Sequence, residues 1–148
     1  MMKNSIKQLY KVLIALNLLA IPITIYLIYM HFVPAASDFC VIGEKWNCDI
    51  VNKSIYSTLF GIPVAIMGFV AYSAFLIFSI RGLKVDQAKW TAWFLFFVTG
   101  GLAFALYLTA IEAFVLKTFC LFCVAQQVII LIEWGCALHL YKLSKSHA

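Results

Sequence analysis

Charged residues are scarce in this sequence. They make up 11% of the 148 positions, whereas hydrophobic residues make up 65% and aromatic residues 16%. A chain of this length cannot bury so much apolar surface within one small soluble core. The scarcity of charge therefore argues against an ordinary soluble domain and indicates that much of the protein surface faces lipid.

Several cofactor and ligand patterns are also absent. The sequence has no CxxCH haem-attachment motif, no glycine-rich dinucleotide motif and no dense cysteine cluster for iron and sulfur. The net charge is +5, but the cations are dispersed and no aromatic stacking motif accompanies them, which argues against nucleic-acid binding. With no internal repeat or low-complexity tract, residues 1–148 are expected to form a single membrane domain.

Four apolar segments are long enough to cross the hydrocarbon core of a bilayer, which requires about 20 helical residues. The links between segments two and three and between segments three and four are short, so these neighbours must run antiparallel. We predict an all-α integral membrane protein, a bundle of four transmembrane helices with a large loop at residues 33–59. The predicted spans are residues 9–32, 62–80, 91–115 and 120–141.

The distribution of cations predicts the orientation of the bundle. A cytoplasmic N-terminus would place eight Lys and Arg residues inside the cell and leave three outside, Lys45, Lys53 and Lys117. Cytoplasmic loops carry an excess of Lys and Arg, so both termini are predicted to be cytoplasmic. The large loop at residues 33–59 is then exoplasmic.

Four of the five cysteines fall on the predicted exoplasmic side. Cys40 and Cys48 lie in the large loop, and Cys120 and Cys123 begin the fourth apolar segment. An exoplasmic compartment is oxidising and permits disulfides to form. The fifth cysteine, Cys136, lies further along the last segment, where we expect it to pack rather than react.

The Cys120-Leu121-Phe122-Cys123 motif places two thiols on one face of a helix at its start, with Cys123 about one turn deeper. The positive end of the helix macrodipole there stabilises the thiolate, which is the reacting form. A disulfide across so short a loop would add little stability, and a zinc site fits poorly at this spacing. A redox pair is the favoured interpretation, with a structural crosslink or a metal site as alternatives.

The spacing of Cys40 and Cys48 suits a structural disulfide as well as a redox shuttle. Two dithiols on one membrane face nevertheless permit thiol–disulfide exchange in sequence, which would carry electrons from a soluble thiol to the membrane. With haem, dinucleotide and iron–sulfur patterns absent, a lipid-soluble quinone is the natural acceptor, and its flat ring needs aromatic walls and hydrogen-bond donors. The residues predicted for this pocket are Phe60, Phe119 and Phe122 as walls and Ser57, Gln126 and Gln127 as donors.

Acidic residues within the apolar segments motivate a different hypothesis. Glu112 lies near the outer end of the third segment, and Glu133 lies deep in the fourth. An acidic residue at membrane depth is a functional candidate. The alternative is therefore a small transporter or channel subunit that uses Glu133, with structural outer cysteines.

A structural membrane protein with a cross-linked outer loop is a third hypothesis, and it predicts thiols that never change redox state.

Three motifs occur in order along the chain. They are Cys40-x7-Cys48, the run from Cys48-Asp49-Ile50-Val51 through Ser54-Ile55-Tyr56-Ser57 to Phe60-Gly61-Ile62-Pro63, and Cys120-Leu121-Phe122-Cys123. In this order and across four apolar segments, they resemble the vitamin K epoxide reductase family in its prokaryotic, disulfide-forming branch. The resemblance covers essentially the whole chain.

This resemblance implies a four-helix bundle around a quinone pocket. It implies that Cys40 and Cys48 form a shuttle pair, which relays electrons from a thioredoxin-like protein to Cys120 and Cys123. Within the relay, Cys48 would exchange with Cys120, and Cys123 would face the quinone.

The resemblance also implies further contacts and partners. Ser57 and Gln127 match the positions of the family's polar quinone contacts. Some relatives carry a fused thioredoxin-like domain, which is not found before Ala148, so a separate thioredoxin-like partner is expected. Menaquinone or ubiquinone would accept the electrons without a metal, and the expected location is the plasma membrane.

Overall fold

The computed structural model describes residues 2–33, 40–43, 45–85 and 88–146. Within this part of the chain, four helices are long and apolar enough to cross a membrane. The predicted all-α, four-helix membrane fold is therefore confirmed. The helices are α1 (Met2–Phe32), a short α2 (Cys48–Asn52), α3 (Val64–Gly82), α4 (Ala88–Ala110) and α5 (Leu121–Lys145), and a π-helical segment (Ile111–Leu116) continues α4.

The long helices extend beyond some of the predicted spans. Helix α1 begins at Met2 and α5 ends at Lys145, outside the predicted limits of 9 and 141. Hydropathy marks the part of a helix that suits lipid, whereas the backbone hydrogen bonds continue into the polar flanks. The four long helices alternate in direction, so the loop after α1 and the link before α5 lie at the same end of the bundle.

The loop between α1 and α3 is folded. Strand β1 (Val41–Ile42) pairs with β2 (Trp46–Asn47), and β3 (Thr58–Leu59) pairs with β4 (Ile62–Pro63), both antiparallel. A 3₁₀ turn at Ile55–Ser57 precedes the second hairpin. Part of the predicted loop, residues 34–39 and 44, lies outside the described residues.

Hydrogen bonds dock the loop on the bundle. Asn52 donates its side-chain N–H to the Leu27 carbonyl at 2.7 Å, and the His31 ring nitrogen Nδ1 lies 2.8 Å from the Asn52 carbonyl oxygen. Asn47 caps α2, because its side-chain oxygen accepts the Asp49 amide at 3.0 Å. Helix α2 is thus held close to the outer end of α1.

Close helix packing positions the interior of the bundle. Helix α1 packs on α3 and α5, and α4 packs on α5. A Cβ atom at Gly101 would lie 2.9 Å from Cδ1 of Ile130, so a larger residue there would force the Ile130 side chain to shift where α4 approaches α5. The buried core includes Tyr10, Leu13, Phe75, Phe94, Val98 and Leu140.

Candidate active site

Three sulfur atoms meet at the outer end of the bundle. Cys40 and Cys48 form a disulfide, whereas Cys120 and Cys123 are free thiols. The Sγ atom of Cys120 lies 3.1 Å from the Sγ atom of Cys48. Cys40, Cys48 and Cys120 are all buried. A thiol therefore contacts one sulfur of an existing disulfide, which is the arrangement from which thiol–disulfide exchange proceeds.

Backbone hydrogen bonds hold these sulfurs together. The Asn47 amide donates to the Phe119 carbonyl at 3.0 Å, and the Phe119 amide donates to the Lys45 carbonyl at 2.9 Å. The Trp46 and Phe119 rings pack with their centroids 5.7 Å apart. Because Asn47 precedes Cys48 and Phe119 precedes Cys120, this pairing brings the two cysteines into contact.

Cys120 is the N-cap of α5. Its Sγ atom accepts the backbone N–H of Cys123 at 3.3 Å, and α5 itself begins at Leu121. An amide at a helix N-terminus that points at a sulfur stabilises negative charge on that sulfur. The structure therefore places the Cys120 sulfur at the N-terminus of α5 and Cys123 within the first turn of the helix.

Glu112 lies beside both thiols of the CxxC motif. It belongs to the π-helical segment, and its buried carboxylate accepts the Cys120 backbone N–H at 3.1 Å through Oε2. The Glu112 and Cys123 side chains also line the same cavity between the helices. From the sequence, Glu112 was linked only to the transport hypothesis, and this contact with the CxxC motif was missed. The available signal was an acidic residue just before the short link that leads into the CxxC motif.

A cavity of about 270 Å³ opens between the helices next to Cys123. Cys123 lines this cavity, whereas Cys48 and Cys120 do not. The two thiols of the CxxC motif therefore face different surroundings: Cys120 faces the loop disulfide, and Cys123 faces the cavity. The walls are mainly apolar and include Phe75, Phe104, Ala105, Leu108 and Ile130, with polar groups from Ser57, Thr109, Glu112, Gln126 and Gln127.

The predicted polar residues differ in their hydrogen bonding. The Gln127 side-chain oxygen accepts the Thr109 hydroxyl at 3.3 Å, but its buried Nε2 has no partner among the described residues. Gln126 donates its Nε2 to the Ala20 carbonyl at 2.9 Å, and the Ser57 hydroxyl donates to the Ser54 carbonyl at 2.7 Å. The unpaired N–H of Gln127 fits a ligand with a carbonyl oxygen.

The structure places none of the three predicted phenylalanine walls in the lining of the cavity. Phe60 is 95% exposed at the tip of the β3–β4 hairpin, where its φ is +52°. Phe119 packs on Trp46, and the ring centroids of Phe122 and Tyr26 lie 5.0 Å apart. Proximity in sequence to a reactive residue does not set the direction of a side chain. Aromatic side chains from α3 and α4 line the cavity instead, namely Tyr72, Phe75 and Phe104.

Two further predicted residues lie deeper in α5. Glu133 is fully buried, and its carboxylate oxygens have no hydrogen-bond partner among the described residues. Cys136 packs against the hydrophobic core, as its position suggested.

The sulfurs of Cys40, Cys48 and Cys120 lie within 4.8 Å of one another, but a disulfide joins two of them, and disulfide sulfurs are not the thiolates that bind zinc.

One comparison with known proteins bears on this site. A family model described as the vitamin K epoxide reductase family matches residues 11–138. The match includes most of the chain and all four cysteines at the outer end of the bundle.

Proposed function

The chain belongs to the vitamin K epoxide reductase family, which makes it a membrane oxidoreductase, and we propose that it transfers electrons from protein thiols to a quinone. A separate thioredoxin-like protein would supply the electrons through Cys40 and Cys48. Cys120 and Cys123 would pass them to the quinone, and the oxidised partner would support disulfide-bond formation. The 3.1 Å contact between the sulfurs of Cys48 and Cys120 carries this proposal.

The relay starts at the Cys40–Cys48 disulfide. A thiolate of the reduced partner attacks Cys40, Cys48 leaves as a thiolate, and the partner's second thiol resolves the mixed disulfide. The partner leaves oxidised, with two electrons now on Cys40 and Cys48. Cys40 is only 1% exposed, so its sulfur must become accessible when the partner binds.

The second exchange moves the electrons to the CxxC motif. The Cys48 thiolate attacks Cys120 of an oxidised Cys120–Cys123 pair, and Cys123 leaves as a thiolate. Cys40 then attacks Cys48, which restores the loop disulfide and frees Cys120. The product has a Cys40–Cys48 disulfide and two thiols at Cys120 and Cys123, as in the structure.

The cavity beside Cys123 fits the ring of a quinone. Its walls are apolar and partly aromatic, and the buried Nε2 of Gln127 offers a hydrogen bond to a carbonyl oxygen. The volume of about 270 Å³ is near the lower end of ligand sites, about 300 Å³, and suits a ring rather than an isoprenoid tail. A bound quinone, menaquinone or ubiquinone, would accept two electrons and two protons. Because Cys123 lines the cavity, we expect its thiol to supply the electrons.

The proposed location is the plasma membrane, with the cysteines on the exoplasmic side. Eight of the eleven Lys and Arg residues would then be cytoplasmic. An oxidising exoplasmic compartment suits a protein that oxidises thiols.

Quinone reduction driven by a reduced thioredoxin-like protein tests the proposal. We expect the purified protein in detergent to reduce ubiquinone or menaquinone, followed by quinone absorbance. Replacing Cys40 and Cys48 together by serine should lower the rate about 100-fold or more, because the donor loses its entry point. A Cys136→Ser variant is the matched control and should retain the wild-type rate. A double variant as active as the wild type would contradict the relay.

The transporter hypothesis is favoured by one observation, the buried and unpaired carboxylate of Glu133. It predicts an ion flux in proteoliposomes that survives replacement of all four outer cysteines and stops in Glu133→Gln. Electron transfer to quinone should instead need the cysteines and tolerate Glu133→Gln.

Replacing Gln127 with leucine should raise the KM for quinone about tenfold, with a smaller change in kcat. Gln127 lines the cavity, and the variant loses its unpaired side-chain N–H. A hydrogen bond worth about 1.4 kcal/mol corresponds to a factor of ten in binding. Steady-state rates against quinone concentration measure the effect. Gln8→Leu, at an exposed position near the start of α1, is the control substitution. An unchanged KM would remove Gln127 from the quinone site.

A further inference from the structure

Glu112 is the carboxylate that contacts both halves of the CxxC motif. Its Oε2 atom accepts the Cys120 backbone N–H at 3.1 Å, and its side chain lies beside the thiol of Cys123. Glu112 also lines the cavity that Cys123 faces. Its own backbone carbonyl accepts the Thr118 amide at 3.2 Å, so both ends of the residue are held. The carboxylate therefore bridges the reacting thiol and the space where the second substrate would bind.

The proposed reaction requires proton transfer at this place. Oxidation of Cys120 and Cys123 to one disulfide releases two electrons and two protons, and reduction of a quinone to a hydroquinone takes up the same number of each. A thiol must lose its proton to become the reactive thiolate. Cys123 lies within the first turn of α5 beside a mainly apolar cavity. An apolar lining leaves little water to accept the proton. A neighbouring carboxylate can take that proton instead.

We propose that Glu112 is the catalytic proton acceptor for the Cys123 thiol. The proton moves from Cys123 Sγ to the Glu112 carboxylate as the thiolate forms. The protonated carboxyl then releases this proton into the cavity, where the substrate takes it up as one of the two protons of the hydroquinone. The second proton is the one that the Cys120 thiol loses when the Cys120–Cys123 disulfide forms. This inference rests on the proposed function, since it assigns a role within that reaction.

A purely structural role for Glu112 makes a different prediction. As the acceptor of the Cys120 amide, Glu112 could simply hold the N-terminus of α5 in place. Glutamine keeps a side-chain oxygen for that amide but cannot take a proton from a thiol. Glu112→Gln therefore separates the two roles, because only the proton-acceptor role is lost.

Other titratable groups lie near this carboxylate and must be followed in the same experiment. Tyr56 and Tyr72 line the same cavity, and Cys120 lies at the N-cap of α5. The Cys40–Cys48 disulfide does not titrate.

Alkylation of the reduced protein tests the proposal without any quinone. Iodoacetamide reacts with thiolates, and mass spectrometry can quantify its addition to Cys123 between pH 5.5 and 9. Where Cys123 and Glu112 share one proton, the wild-type rate should be nearly independent of pH around neutrality. In Glu112→Gln, the rate should change about tenfold per pH unit, as for an isolated thiol. Cys136 is the internal reference, and its profile should be the same in both proteins.

The outcomes distinguish failure of this inference from failure of the proposed function. A wild-type profile that changes tenfold per pH unit throughout would overturn the proton-acceptor role, even if Glu112→Gln could not be purified. Identical profiles in the two proteins would overturn it as well. Both results are independent of whether quinone is reduced.

Turnover supplies the second measurement once wild-type quinone reduction is established. Glu112→Gln should reduce the rate about 100-fold at neutral pH, with partial recovery as the pH rises and the thiol ionises without help. Its melting temperature should stay close to that of the wild type, since the acceptor for the Cys120 amide is kept. A folded Glu112→Gln variant with wild-type turnover would contradict the proposal.

Discussion

Replacing Cys40 with serine is expected to trap a disulfide between Cys48 and Cys120. Their sulfurs are 3.1 Å apart, and Cys40 is the thiol that would release Cys48 from the mixed disulfide. Without Cys40, the Cys48 thiolate can attack an oxidised Cys120–Cys123 pair but cannot be resolved. Most of the protein should therefore accumulate with this link, and turnover with a protein donor should stop.

Peptide mapping without reduction measures the trapped species. The reduced Cys40→Ser protein is treated with quinone or with diamide, and the cross-linked peptides are identified by mass spectrometry. Diamide makes the test independent of quinone reduction. The Cys40→Ser/Cys136→Ser protein should trap the same link, whereas Cys40→Ser/Cys120→Ser should not. A link from Cys48 to Cys123, or a Cys48 that stays a thiol, would refute the proposed order of exchange.

Replacing Cys123 with alanine is expected to lower quinone reduction about 1,000-fold or more. Of the two CxxC thiols, only Cys123 lines the cavity, and without it the Cys120–Cys123 disulfide cannot form. The loop disulfide and its contact with Cys120 remain, so the variant should still oxidise a reduced partner once. The loss therefore concerns the last step of the relay and not the first.

Two assays separate these steps. Quinone absorbance reports turnover, and the thiol content of the partner after a single mixing reports the first exchange. Cys136→Ala replaces a thiol in the same helix that packs against the core, and it should behave like the wild type. Multiple turnovers by a folded Cys123→Ala protein would remove Cys123 from its proposed position next to the quinone.

Local patterns in the sequence predicted much of this molecule. Four apolar runs predicted four membrane helices, because spanning a bilayer requires a contiguous stretch of apolar residues. The Cys120-Leu121-Phe122-Cys123 spacing predicted two thiols at a helix start, which the structure places at the N-cap and in the first turn of α5. Cysteine order and motif order also indicated the family that the comparison confirms.

Side-chain direction was less predictable. Gln127 was predicted as a polar quinone contact from the resemblance to the family. It lies four residues after Cys123 in α5 and lines the cavity. Phe60 was predicted as a cavity wall because it lies near a helix mouth, but it is exposed at the tip of a hairpin. Helical periodicity constrains the direction of side chains over several turns. An irregular loop has no such periodicity, so the geometry of the hairpin sets the direction of the Phe60 side chain.

The sequence by itself determined the class of this protein, its four spans and the cysteines available for redox chemistry, because these properties depend on residue type and local spacing. Tertiary structure alone decided that Cys48 meets Cys120, that Cys123 faces the cavity, and that the Glu112 carboxylate contacts the CxxC motif. Those contacts join positions separated by turns or by whole helices. Their distances follow from the packing of α4 on α5 and the backbone pairing of the loop with Phe119, which no local pattern specifies.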